Sequence, residues 1–204
     1  NICEAAVMKT SAISENFHRN YLSKPGSKNV FEVRAIVFEG PEDYHQRIND
    51  HELNIDLNCM LVIRGCGPVG YPGSAEVVNM QPPDRLIRKG ITELPTLGDG
   101  RQSGTSGSPS ILNVSPESSI GGGLSLLKTG DKLKIDLNKY TINVLLNEKE
   151  LQKRREFLQL NLTENQTPWQ EIYRNTVGQL SGGGIIELAE KYKKIRHTIP
   201  RNSH

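Results

Sequence analysis

Hydrophobic and polar positions alternate most cleanly over residues 132–137, KLKIDL, and again over residues 140–146, YTINVLL. Alternation with period two is the mark of a half-buried strand. The Asn138-Lys139 pair between the two runs predicts a hairpin. Two further runs are dominated by β-branched, aromatic and aliphatic residues. Residues 31–38, FEVRAIVF, predict a strand ended by Gly40-Pro41, and residues 57–64, LNCMLVIR, predict a second. The unbroken apolar core of that second run, residues 59–63, predicts a strand buried on both faces. Residues 92–97 read as a short extended run. Helical signals are fewer. Residues 42–49 place Tyr44 and Ile48 one turn apart on one face. Residues 76–89 have a helical look, interrupted at Pro82-Pro83 and closed by Gly90. Asn147 with Glu150 three positions on predicts an N-cap for a charged helix over residues 148–158, anchored by Leu151 and Phe157. Thr167-Pro168 predicts another start, for a helix reaching about residue 180, with Trp169 either a packing anchor or a ligand contact. Residues 185–193 predict a last helix, and residues 11–28 read as a polar surface segment. Strands precede helices without regular βα alternation, so the expected class is α+β, β-rich, with the strands closing into a compact barrel or sandwich.

One stretch fits none of these patterns. Residues 98–117, GDGRQSGTSGSPSILNVSPE, hold four glycines, five serines and one threonine. Glycine permits positive φ and close backbone approach to a ligand, and hydroxyls bring small rotating donors and acceptors. A flexible linker has similar composition. Asp99, Arg101 and Gln102 before the run, and Ile111-Leu112 after it, argue for a built loop instead. Upstream, Gly65, Gly67 and Gly70 spell G-x-G-x-x-G directly after a predicted strand. That spacing suits a dinucleotide fingerprint. Pro68 and Pro72 break the helix that the fingerprint requires, and the βαβ continuation is missing. The alternative is a loop whose amides approach an anion or a metal-bound ligand.

Charge and composition narrow the classes. The chain has 204 residues, 25 Lys plus Arg and 23 Asp plus Glu, a balance that calls for neither nucleic acid nor a membrane surface. Aromatic residues are scarce, and no apolar run approaches the ~18 residues of a membrane span. Cys3, Cys59 and Cys66 show no C-x-x-C spacing and are expected to be structural thiols in a reducing, cytoplasmic compartment. No signal peptide is visible and position 1 is Asn, so the chain is expected to be cut from a longer protein.

The run GDGRQSGTSGSPSILNVSPESSIGGGLSLLKTGDKLKIDL resembles the C-terminal part of the dihydroxy-acid and sugar-acid dehydratase family. GDGRQSGTSGSPSILN together with the later QTPWQEIYR resembles its aldonate branch, the arabinonate and xylonate dehydratases, and the resemblance extends over nearly the whole chain. It implies a swivelling β/β/α-type barrel domain over residues 29–160. Residues 1–28 would join it to an absent N-terminal domain, and residues 161–204 would form a C-terminal helical extension. It implies removal of water from a 2,3-dihydroxy acid to give a 2-keto-3-deoxy acid. Ser103 falls on the family's base, used as an alkoxide, and Gly104 and Thr105 would line the same substrate pocket. For Ser103, capping a turn is the competing role. GPVGYPGSAEV is similar to the family's GPKGGPGMPEM-type motif, which puts a divalent-metal ligand, for Mg2+, at Glu76. Ser74-Ala75 stand where that motif has Met-Pro, with the glutamate still in register, and a helix-dipole contact is the competing role for Glu76. The family's 2Fe-2S iron–sulfur cluster is held by motifs absent here, so the fragment is expected to be inactive alone. Association into a homo-dimer or homo-tetramer is expected. Two other readings stay open: a dihydroxy-acid dehydratase of branched-chain amino acid synthesis, and a non-catalytic binding or assembly barrel.

Overall fold

The computed structural model describes residues 1–73, 76, 80–101, 109–160 and 162–192. Seven strands form one mixed sheet: β1 (Ala5–Met8), β2 (Val30–Glu39), β3 (Cys59–Arg64), β4 (Thr96–Gly98), β5 (Ser110–Ser115), β6 (Lys132–Asp136) and β7 (Thr141–Val144). Their spatial order is β1-β5-β4-β3-β2-β6-β7. The four strands β2 to β5 run parallel, while β1, β6 and β7 pair antiparallel. The sheet curls until its ends meet: the Ile2 amide donates to the Ile142 carbonyl at 2.8 Å, and the Asn1 side chain accepts from the Ile142 amide at 3.1 Å. The domain is therefore α+β and barrel-like, as the strand-rich pattern predicted.

Period two explains how the central strands pack. Phe31, Val33, Ala35 and Val37 of β2 and Met60 and Val62 of β3 point to the barrel interior. Ile36, Phe38, Cys59, Leu61 and Ile63 point outward, into a second core. The helix α2 (Gly40–Arg47) covers that outer face. Its Tyr44 and the following Ile48 are both buried there, and Tyr44 meets Phe38 edge-on at 5.4 Å. β3 is thus buried on both faces, as its apolar run predicted.

The 132–146 hairpin forms as expected, and so does the helix α4 (Glu148–Glu156), whose Asn147 side chain accepts from the Glu150 amide at 2.8 Å. Its anchor differs from the prediction. Phe157 is 75% exposed, whereas Arg154 grips the buried Asp131 with two bonds of 2.5 and 3.0 Å and donates to the Leu126 carbonyl. Leu151, the other expected anchor, is half-buried, so the helix docks through one apolar residue and a charged contact that the pattern did not show. The helix α5 (Pro168–Thr176) begins at the predicted Thr167 cap but stops at Thr176. Trp169 is 78% exposed and packs into no core. Between residues 76 and 89, only α3 (Asp84–Ile87) is helical among the described residues, because Pro82-Pro83 delays the start. The last predicted helix is a 3-10 segment, Glu187–Tyr192. The segment expected to run over the surface instead forms α1 (Glu15–Phe17) and a π-turn, His18–Leu22. Phe17, Tyr21 and Leu22 enter the barrel core, where Phe17 and Tyr21 pack with Phe31. No helix among the described residues is long and apolar enough to cross a membrane.

Candidate active-site loops

Because β2 to β5 are parallel, their C-terminal ends lie at one rim of the sheet. The chain leaving β3 there carries the glycine loop and Glu76. The chain leaving β4 carries Asp99 and Arg101, and the chain leaving β5 carries Glu117 and Ser118. Glu76 is exposed and forms an isolated parallel bridge with Arg101. That bridge sets the Glu76 backbone beside a residue two positions before Ser103. Ser103, Gly104 and Thr105 themselves lie outside the described residues.

The glycine loop does present its amides to anions, but the anions belong to the chain. Asp99, fully buried, takes the Cys66 amide on one oxygen at 2.9 Å. Its other oxygen takes the Gly65 amide at 3.1 Å, the Ser118 amide at 2.9 Å and the Ser118 hydroxyl at 2.5 Å. Glu117, also fully buried, takes the Val69 amide at 3.0 Å and the Gly70 amide at 2.8 Å. Its remaining partner is the Gln179 side-chain amide at 2.8 Å. A Cβ at Gly67 would overlap the Glu117 carboxylate. The G-x-G-x-x-G spacing therefore makes room for an internal side chain, not for a pyrophosphate. Burial pushes the Glu117 carboxyl above its ordinary range, and the amides of Val69 and Gly70 pull it partly back.

Sequence reasoning missed this clamp. Its signal was present: Asp99 and Glu117 stand near the two ends of the glycine–serine stretch, and buried amide-rich loops need acceptors. What the sequence does not state is that β3, β4 and β5 are neighbours, which brings both carboxylates over the loop.

The three thiols do not suit an iron–sulfur cluster. Cluster ligands are thiolates held close together. Cys59 opens β3 and Cys66 lies two residues beyond its far end, both fully buried, and the strand between them spans about 17 Å at ~3.3 Å per residue. Burial pushes both thiols, and that of Cys3, toward the protonated form. For a divalent cation, Glu76 is chemically suited as one oxygen ligand. Among the described residues no group of three or more His, Cys, Asp or Glu could complete such a site.

Comparison with known proteins agrees with the loop motifs. Residues 1–184 match the family model described as dihydroxy-acid/6-phosphogluconate dehydratase C-terminal. D-xylonate dehydratase of Caulobacter vibrioides is 57% identical over 204 residues, all of this chain and 34% of the relative. L-arabinonate dehydratase of Rhizobium leguminosarum bv. trifolii is 38% identical over 151 residues, 74% of this chain and 24% of the relative. Dihydroxy-acid dehydratase of Campylobacter jejuni subsp. doylei is 32% identical over 159 residues, 78% of this chain and 28% of the relative. The chain spans about a third or less of the length of these relatives. By the extent of these matches, the chain belongs to the dihydroxy-acid/6-phosphogluconate dehydratase C-terminal family.

Proposed function

We propose that this chain is the C-terminal part of a hydro-lyase that dehydrates a sugar acid, an aldonate such as xylonate or arabinonate, to a 2-keto-3-deoxy acid. The observation that carries the reading is the bridge between Glu76 and Arg101, which supports a shared site for Glu76 and the Ser103 loop at the rim of the parallel strands. In this reading Ser103, as its alkoxide, removes the C2 proton, and the C–H electron pair becomes the C2–C3 double bond as the 3-hydroxyl departs. The enol then tautomerises to the keto acid. A neutral serine is too weak a base for this step. The glycines around Ser103 would let backbone N–H groups converge on its oxygen and favour the ionised form. Thr105 and Gly104 would line the substrate pocket. A Mg2+ ion held by Glu76 would supply charge stabilisation at the substrate carboxylate and 2-hydroxyl. An iron–sulfur cluster held outside this chain, as the family resemblance implies, would supply the Lewis acid for the departing hydroxide, which would leave as water with the proton taken by Ser103. The active protein would thus need its own N-terminal domain, and this chain by itself would not turn over.

The test uses the full-length protein. Keto-acid formation is followed from a panel of aldonates and from dihydroxyisovalerate, for wild type and Ser103→Ala. The expected result is turnover of an aldonate and a loss of at least about a thousandfold in the variant, roughly 4 kcal/mol of transition-state stabilisation. A variant that keeps its rate removes Ser103 as the base. Preference for dihydroxyisovalerate would move the chain to the branched-chain reading, which the 32% identical Campylobacter relative represents.

A further inference from the structure

We propose that Glu117 and Gln179 are a reciprocal pair of positioning residues, which lock the root of the loop bearing Glu76 against the C-terminal segment. The proposal rests on the functional reading above.

The pair is built as a closed ring of hydrogen bonds. The Gln179 side-chain oxygen accepts from the Glu117 backbone amide at 2.8 Å, and its NH2 donates to the Glu117 carboxylate at 2.8 Å. This fixes which end of the Gln179 amide faces which partner. The same carboxylate then receives Val69 and Gly70 from the loop. Val69 is held from its other side as well, since Arg174 of α5 donates to its carbonyl at 2.8 Å. Ser181 adds a third tie, its amide donating to the Ser115 hydroxyl at 3.2 Å. One peptide unit on each side of Val69 is thus gripped by groups from two remote segments. Glu76 follows seven residues later and is fixed at its own end by the bridge to Arg101. The loop is therefore held at both ends, and the Glu117–Gln179 ring, together with Arg174, ties its root to the C-terminal segment.

A carboxylate is well suited here because its three side-chain contacts, Val69, Gly70 and Gln179, all donate. A glutamine at position 117 would have to turn an NH2 toward either the loop amides or the Gln179 NH2. A glutamate at position 179 would set two carboxylates face to face. The two changes together restore complementarity: the new amide donates to the new carboxylate, while its oxygen still accepts from Val69 and Gly70. Net charge is unchanged in the swap.

The experiment uses the full-length protein as wild type, Glu117→Gln, Gln179→Glu, the double swap and Ser103→Ala. Four quantities are read: hydrogen exchange of peptides covering residues 65–73, kcat, KM, and Mg2+ binding by calorimetry. Each single variant should speed exchange in residues 65–73 at least about tenfold, lower kcat at least about tenfold with KM nearly unchanged, and weaken Mg2+ binding. The double swap should return every quantity to within about threefold of wild type. Faster exchange with unaltered kcat and Mg2+ binding would make the ring merely structural and overturn the proposal. So would unaltered exchange in the single variants, or a double swap no better than the worse single. If wild type forms no keto acid from any aldonate or dihydroxy acid, the dehydration reading falls, and with it the catalytic half of this proposal; if only Ser103→Ala keeps its rate, Ser103 alone loses its role. The exchange data then still decide whether the ring holds the loop.

Discussion

Replacing Asp99 by Asn changes one atom and no volume, yet it should destabilise the fold measurably. The Asp99 carboxylate accepts four hydrogen bonds and donates none. An asparagine must aim its NH2 at one side. The less costly orientation keeps oxygen toward Gly65 and Ser118 and strands the Cys66 amide against another donor. A stranded buried amide costs about 1–3 kcal/mol, and a bond to a neutral acceptor is about 1 kcal/mol weaker than one to a charged acceptor. Three such weakenings and one stranded amide sum to about 5 kcal/mol. Relief of the charge's desolvation returns part of this, leaving about 3 kcal/mol. With a urea m-value of about 3 kcal/mol/M for a chain of this size, the unfolding midpoint should fall by about 1 M without change in slope. Asp99→Ala should fall further, since the acceptor is removed entirely. A midpoint shift under about 0.2 M for Asp99→Asn would refute the reasoning, because it would mean that the loop amides find water or another acceptor at no cost.

Other outcomes follow from the same contacts. Arg154→Ala should cost about 3 kcal/mol, because it leaves the buried Asp131 carboxylate unpaired. Phe157→Ser should stay within about 0.5 kcal/mol, since that ring is exposed; equal effects in urea titrations would contradict the docking of α4 by charge. Native protein treated with a thiol reagent at neutral pH should modify Cys3 slowly and leave Cys59 and Cys66 untouched until denaturant is added. The side-chain hydrogen bond from Arg47 holds the Asp43 carboxyl below its ordinary range. Its folded pKa is thus lower than the unfolded one, so its stabilisation is present above about pH 4 and lost as pH falls through the folded pKa. Asp43→Asn should flatten the stability–pH curve below about pH 4, and an unchanged acid limb would count against the pair.

Legibility in the sequence followed the range of the forces involved. The 132–146 hairpin and the two helix caps at Asn147 and Thr167 depend on residues within a few positions, and they formed as predicted. β3 was legible because being covered on both faces imposes an unbroken apolar run. Phe17 and Tyr21 were not, since their burial depends on packing against Phe31 of β2, 10 and more positions along the chain. Trp169 misled in the opposite way: a large ring predicts packing, and α5 leaves it exposed. At the candidate site, Glu76 was legible as a motif position and its pairing with Arg101 was not. Asp99 and Glu117 act across 33 to 48 residues of sequence. Only the parallel neighbourhood of β3, β4 and β5 turns two unremarkable acids into loop clamps.

The meeting of Ile2 with Ile142 bears on how the chain acquires its shape. These residues are 140 positions apart, and β1 finds its strand partner more than a hundred residues downstream in β5. Bringing such distant segments together carries a loop-closure entropy that must be met before the contact contributes anything. During synthesis, β1 has no strand partner in this sheet until β5 has emerged, and the seam cannot shut until the hairpin is complete. Until then β1 and β7 present open edges that another chain could pair with. The assembly rate of this domain should therefore be limited by closing that seam, with substitutions at Ile2 or Ile142 slowing folding far more than they speed unfolding.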